Sequence, residues 1–365
     1  MAVYWAILLA GIFSSLLNFI KGFRVGGGLL FIYFYAFLVF IAGFKYGSID
    51  YFGYKHLYDS VSFSDFSVPF FNTGKGVTGS EFIWASLSSL SKFLEFPYEF
   101  FVFFIATLSI SIKFYFFQKW TPYFIVAVVA YIAFGFVKDM GQLRNGLASA
   151  ILLFTIVPLI NRSFLSFVFV CFLAFGVQSY AIVSLPLYFF YLFFKLSKKV
   201  VLPVFFLVLI FSLFFDFSTF VVFISENFSI VSESLARKLA GYASEAQAQA
   251  SLISLTGLIY TSVSVIFILF KDRVFYRSKE LFCVGVVFVY GVLLFAITID
   301  VPTMGARSLD MFSSGFFPLL IALSLNFFRG AYKYLFLTAS LGFCFVKMFS
   351  SITEFAPYQN ILFMS

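Results

Sequence analysis

Residues Leu281–Ile299 read LFCVGVVFVYGVLLFAITI, 19 consecutive residues without a charge. As an α-helix rising 1.5 Å per residue they extend about 28 Å, close to the roughly 30 Å hydrocarbon core of a bilayer. Eight more charge-free runs share this character: Val3–Ile20, Leu29–Phe44, Thr121–Val137, Asn145–Asn161, Ser163–Phe194, Val200–Phe215, Ala246–Phe270 and Met311–Phe328. Across all 365 residues, 62% are hydrophobic and 11% charged, against about 45–50% and about 25% in soluble domains. Both an ordinary soluble enzyme and a disordered chain are excluded, and the fold class is an all-α polytopic integral membrane protein.

Twelve transmembrane helices are expected, near 3–20, 29–45, 98–118, 121–138, 145–160, 163–177, 179–194, 200–216, 250–270, 281–298, 311–327 and 334–350. The 32-residue run Ser163–Phe194 would span about 48 Å as one helix, so it is divided at Gly176-Val177-Gln178-Ser179. Val3–Ile20 is long enough to span and has no preceding positive residue, which argues against a cleaved signal. Cys171, Cys283 and Cys344 lie in apolar runs and form neither a disulfide framework nor a metal-ligand pattern. Phenylalanine, at 62 residues, is acceptable wherever a lipid-facing helix takes leucine, and marks no site.

Sidedness follows from Lys and Arg. With the short basic links 21–28, 119–120, 161–162, 195–199, 271–280 and 328–333 in the cytoplasm, and Lys113 counted at that end, this face carries 14 of the 24 Lys and Arg but two of the 16 acids. The formal charge of +8 then reflects topology rather than nucleic-acid binding. The whole chain, 1–365, forms a single membrane domain with two moderate outer loops, 45–97 and 217–249, each carrying a short surface helix. Long loops on a rigid scaffold are where function concentrates.

Charged groups within or beside spans cost about 2.5–3.5 kcal/mol at mid-bilayer and call for a purpose. The densest cluster is Lys138-Asp139-Met140-Gly141-Gln142-Leu143-Arg144-Asn145-Gly146, placed at an outer hairpin. Gln142, Arg144 and Asn145 open a helix there, where the helix dipole and a guanidinium fork make an anion site; the alternative is a hairpin whose cations snorkel to headgroups. Arg307 is read as a second cation at an outer helix start, or as a surface pair with Asp310. Arg237 in the second loop is a third. For proton transfer the acids on this side are Asp50, Asp59, Glu81, Asp139, Asp300 and Asp310, with Asp50 and Glu81 best placed. The lone His56 supports no mechanism, and the absence of a Ser-His-Asp set or metal-ligand cluster argues against proteolysis and zinc chemistry.

The order of these features resembles the Wzy-type polysaccharide polymerases, in particular their EpsG-like branch. The resemblance runs through Gly47-Ser-Ile-Asp50 with Tyr51 and Tyr54, Glu81-Phe-Ile-Trp-Ala-Ser-Leu, Leu143-Arg144-Asn145-Gly146-Leu147-Ala148, Gln178-Ser179-Tyr180-Ala181 and Arg307-Ser-Leu-Asp-Met-Phe. Asn145 stands where that family usually has Gln, and Gln178 where it usually has His, so Gln178 would bind a sugar rather than move a proton.

The resemblance implies a GT-C-like glycosyltransferase at the periplasmic face of the bacterial inner membrane. Such an enzyme transfers a growing glycan from undecaprenyl diphosphate to the terminal hydroxyl of an incoming lipid-linked repeat unit. Arginines would stand in for a metal, no cofactor is expected, and membrane lipid and a chain-length regulator are the implied partners. The rival readings are an O-antigen ligase, which usually carries one large periplasmic loop, and a lipid-linked oligosaccharide flippase or transporter, which calls for charges inside several spans and a repeat between halves.

Overall fold

The computed structural model of the protein describes residues 2–19, 27–47, 50–61, 81–228, 254–351 and 359–360. In chain order its elements are α1 Ala2–Phe19, α2 Gly27–Gly43, β1 Lys45–Tyr46, α3 Tyr51–Ser60, α4 Phe82–Phe93, α5 Tyr98–Trp120, α6 Phe124–Phe134, α7 Phe136–Gly141, α8 Leu143–Leu152, α9 Ile156–Asn161 and α10 Phe164–Val177. A 3₁₀ turn over Ser179–Ser184 follows. The remaining elements are α11 Leu187–Phe193, α12 Lys198–Ser212, α13 Phe217–Phe228, α14 Leu255–Arg277, α15 Lys279–Ile297, α16 Pro302–Ser313, α17 Phe316–Ser324, α18 Ala331–Ser351 and β2 Gln359–Asn360.

The chain is a helical membrane protein. Among the described residues, Tyr98–Trp120, Leu143–Asn161 and Lys279–Ile297 are each long and apolar enough to cross a bilayer, and Lys198–Ser212 with Phe217–Phe223, bent by 74°, is a fourth if counted as one span. Of the other expected spans, those near 250–270 and 334–350 lie in the continuous helices Leu255–Arg277 and Ala331–Ser351, and several of the rest are shorter or broken. The run near 121–138 divides at Gly135 into α6 and α7, and the late run breaks at Ser314–Gly315 between α16 and α17. The 163–194 run does divide where its length requires, with Gln178 ending α10.

Two compact units are present, Met1–Ile182 with Ser313–Ser365, and Val183–Phe312. In the first, α5 is central, packing against α2 and α8, while Ile125–Phe134 of α6 is buried throughout and meets α1, α17 and α18. The two short strands pair antiparallel, Lys45 opposite Asn360 and Tyr46 opposite Gln359. In the second unit α15 is almost wholly buried and packs against α11, α12 and α14.

The turn between α7 and α8 corrects the expected topology. Ser109, about 16 Å along α5 from its start, donates from Oγ to Asp139 Oδ1 at 2.5 Å. Further on, Phe116 of α5 meets Phe154 just beyond α8, with ring centroids 4.9 Å apart. Thus α8 runs in the same direction as α5 and begins beside its middle. Residues 138–145 are set back within the helix bundle rather than forming a hairpin beyond its end.

The physical reason is a charge. Lys113 lies inside α5, fully buried, and an unpaired ammonium there would be prohibitively desolvated. Asp139 folds in to meet it at 2.6 Å. Counting Lys113 with one face and Asp139 with the other therefore misassigns both.

Candidate functional site

The site is built around α3, an element the sequence reading leaves as loop. Tyr51, Tyr54 and Tyr58 form its buried stripe at helical spacing, while Phe52, Lys55, His56 and Asp59 are exposed. The stripe is anchored on α5: Tyr51 Oη donates to Glu99 Oε1 at 3.2 Å, and Tyr98 Oη donates to the Tyr51 carbonyl at 3.2 Å. At the far end Tyr58 Oη donates to the Phe96 carbonyl at 2.7 Å. Lys92 of α4 caps the helix end by donating to the Asp59 and Val61 carbonyls at 2.8 and 2.5 Å.

Helix α4 lies against α10, and Gly176 permits the contact. A Cβ at that position would sit 2.6 Å from Phe82 and 2.8 Å from Ile83. We expect Gly176→Ala to destabilise the protein by about 1–3 kcal/mol, the usual range for overpacking, read as a lowered melting temperature. An unchanged melting temperature would show that α4 is free to retreat.

This approach brings Glu81, the residue preceding α4, beside the break after α10. Glu81 is 2% exposed and makes no cap bond to its own helix. Its Oε1 accepts from the Ser179 backbone N–H at 3.2 Å and from Ser179 Oγ at 3.0 Å. Its Oε2 is ion-paired with Nη1 of Arg144. The Arg144 guanidinium also lies over the Tyr54 ring, 5.1 Å from its centroid, and Tyr54 packs against Trp84, which packs against Phe101.

Four chain segments thus converge on one cation: α3 supplies an aromatic face, the start of α4 a carboxylate, the start of α8 the arginine and the break after α10 a serine. Arg144 occupies the second position of α8, whose N-cap, Gln142, makes no side-chain cap bond. Its Nε has no hydrogen-bond partner, and neither has the buried Oδ1 of Asn145. Asn145 Nδ2 reaches Gln142 Oε1 at 3.4 Å. A guanidinium at a helix start, with one edge fixed by a carboxylate, is equipped to take an anionic group.

Of the expected site residues, Glu81, Gln142, Arg144 and Asn145 come together here, and Gln178, 5% exposed, directly precedes Ser179. Asp50 is the half-buried N-cap of α3, one turn before Tyr54, and its side chain makes no cap bond. Asp139 is sealed away: besides Lys113 and Ser109 it accepts from Tyr131 Oη, and its residue is 1% exposed.

Arg307 belongs to the second unit. It is half-buried within α16 rather than at a helix start, because Pro302 begins that helix earlier than expected. Arg237 lies outside the described residues, as do most of the 217–249 loop and the Gly-rich part of 45–97. Among the described residues no group of His, Cys, Asp and Glu has the arrangement of a metal site.

Several of these contributors carried a sequence signal. The Tyr51/Tyr54/Tyr58 spacing marks a helix, and Lys113, flanked by Ile112 and Phe114, marks a buried charge that needs a partner. Ser109 and Tyr131 had none, since a hydroxyl in an apolar helix is unremarkable until its neighbour is known.

No curated protein and no solved structure matches the chain significantly. A family sequence model does match, over residues 28–363, and so takes in α3, Glu81, the α7–α8 turn, the break at Gln178 and Arg307: the chain belongs to the EpsG family.

Proposed function

We propose that this protein is a polysaccharide polymerase that takes its donor glycan from a lipid diphosphate. Membership of the EpsG family, a Wzy-like polymerase family, supports polymerase activity in general. The observation that carries the finer assignment is Arg144, fixed at the start of α8 by Glu81 and backed by the ring of Tyr54.

In the proposed reaction the hydroxyl oxygen at the non-reducing end of an incoming lipid-linked repeat unit attacks the anomeric carbon of the growing chain. The bond from that carbon to the undecaprenyl diphosphate oxygen breaks, and the bonding pair leaves with the diphosphate. Negative charge develops on the leaving group, where a preorganised guanidinium is most effective. Arg144 supplies that stabilisation, with Gln142, Asn145 and Gln178 as polar contacts to substrate; Arg307 and Arg237 are separate candidate cations for the lipid diphosphate.

The hydroxyl proton goes to a carboxylate. Asp50 suits this role better than Glu81, because both oxygens of Glu81 are already engaged by an arginine and a serine. Asp139, closed off among Lys113, Ser109 and Tyr131, suits it least. The scaffold in this proposal is GT-C-like, and the reaction takes place on the periplasmic side of the bacterial inner membrane, with a chain-length regulator as partner.

Because arginines provide the positive charge, the reaction is proposed to need no divalent ion. Purified protein given an undecaprenyl-diphosphate oligosaccharide in excess EDTA is expected to form polymer at the rate seen without chelator. Loss of polymer in EDTA, restored by a divalent cation, would replace the arginine mechanism with a metal-assisted one.

A further inference from the structure

The ion pair of Lys113 and Asp139 is completely enclosed, with neither side chain exposed. Asp139 Oδ2 accepts from Lys113 Nζ at 2.6 Å and from Tyr131 Oη, and Oδ1 accepts from Ser109 Oγ at 2.5 Å. The ammonium also lies 5.4 Å from the centroid of the Tyr131 ring. Three donors on two helices, α5 and α6, therefore hold one carboxylate on α7.

That carboxylate touches the chain on the other side of the turn as well. A Cβ added at Gly146 would run into Asp139 Oδ1, with the Asp139 Cα 3.3 Å away. Asp139 lies five residues before Arg144 and Gly146 two residues after it, so a single side chain braces the turn Gln142–Asn145 from both ends. An enclosed ion pair in hydrocarbon is a poor source of stability compared with apolar packing, and its retention is better explained by what it fixes in place.

We propose that the Lys113–Asp139 pair is a positioning device for Arg144: Lys113 draws Asp139 into the bundle, and Asp139, pressed against Gly146, sets where the start of α8 presents its guanidinium. Asp139 thus acts through Arg144 and takes no proton from substrate. The proposal rests on Arg144 being the anion site.

The test uses full-length protein in nanodiscs, with melting temperature, polymerisation rate and the midpoint of inorganic pyrophosphate binding measured for each variant. Lys113→Met and Asp139→Asn singly each leave one enclosed charge or its donors unmatched, and both are expected to melt lower and to polymerise at least about tenfold more slowly. The double variant Lys113→Met/Asp139→Asn removes both charges with little change in volume, and is expected to regain the melting temperature and most of the rate. A double variant with restored melting temperature that is as inactive as Asp139→Asn would overturn the proposal, because Asp139 would then have a chemical role of its own.

Gly146→Ala provides the readout that a purely structural role would not move. It is expected to melt lower, like Gly176→Ala, and, assayed well below that melting temperature, to weaken pyrophosphate binding at least about fivefold and raise the KM for the lipid diphosphate donor, with the KM for the acceptor unchanged. Unchanged pyrophosphate binding in a folded Gly146→Ala protein, alongside its loss in Arg144→Ala, would defeat the positioning role while leaving the anion site intact. Full pyrophosphate binding in Arg144→Ala would instead remove the anion site, and rescue by the double variant would then report only on the pair.

Discussion

Arg144→Ala is expected to abolish long glycan chains and to lower turnover at least about 100-fold, the usual scale for removing one preorganised donor to a developing oxyanion. The side chain is 19% exposed and held by Glu81 beneath its substrate edge, so removing it leaves Glu81 buried without its counter-charge as well as stripping the leaving group of its partner. Arg144→Lys should recover little, since an ammonium has neither the planar fork nor the stacking that Tyr54 offers a guanidinium. Arg307→Ala is expected to act in the same direction. Chain length on a gel, read beside an immunoblot for protein level, checks both. Wild-type-length polymer from Arg144→Ala would dispose of the anion site, and from Arg307→Ala would remove that residue from the proposal.

The second large effect concerns Glu81. Glu81→Ala should destabilise the first unit by about 3 kcal/mol, near the lower end for breaking a buried pair because Arg144 keeps some exposure. It deprives the Arg144 guanidinium and both Ser179 donors of their acceptor at once. Glu81→Gln keeps an acceptor oxygen for Ser179 but no charge for Arg144. It is expected to restore much of the melting temperature and only about a tenth of the activity. Equal and complete loss of activity in a Glu81→Gln protein as stable as wild type would point to direct proton transfer by Glu81.

The pattern of apolar runs carries much of the fold. Leu281–Ile299 needs only its length and lack of charge to be read as a membrane helix, and the 163–194 run is too long not to break. Linear order also brings out Glu81, Arg144 and the Gln178–Ser179 break, because each is a polar interruption at an apolar boundary.

Position along a bundle axis is what the sequence hides. Lys113 and Asp139 are 26 residues apart and read from sequence as belonging to opposite faces, yet they form one pair. The missing quantity is the depth of the α7–α8 turn, which depends on α6 stopping at Gly135. Arg307 illustrates the same limit: an apolar run beginning near 311 places a helix start there, whereas Pro302 starts the helix nine residues sooner. Helix α3 was concealed by composition, since its exposed lysine, histidine and aspartate give it the look of a loop while three tyrosines do the packing.

The most direct measurement is the affinity of full-length protein in nanodiscs for undecaprenyl diphosphate itself, wild type against Arg144→Ala, each assayed well below its own melting temperature. Charge-assisted hydrogen bonds contribute about 1.5–3 kcal/mol, so binding should weaken roughly 10- to 100-fold when the guanidinium is removed. Equal affinity in the two folded proteins would contradict the assignment of Arg144 to the diphosphate.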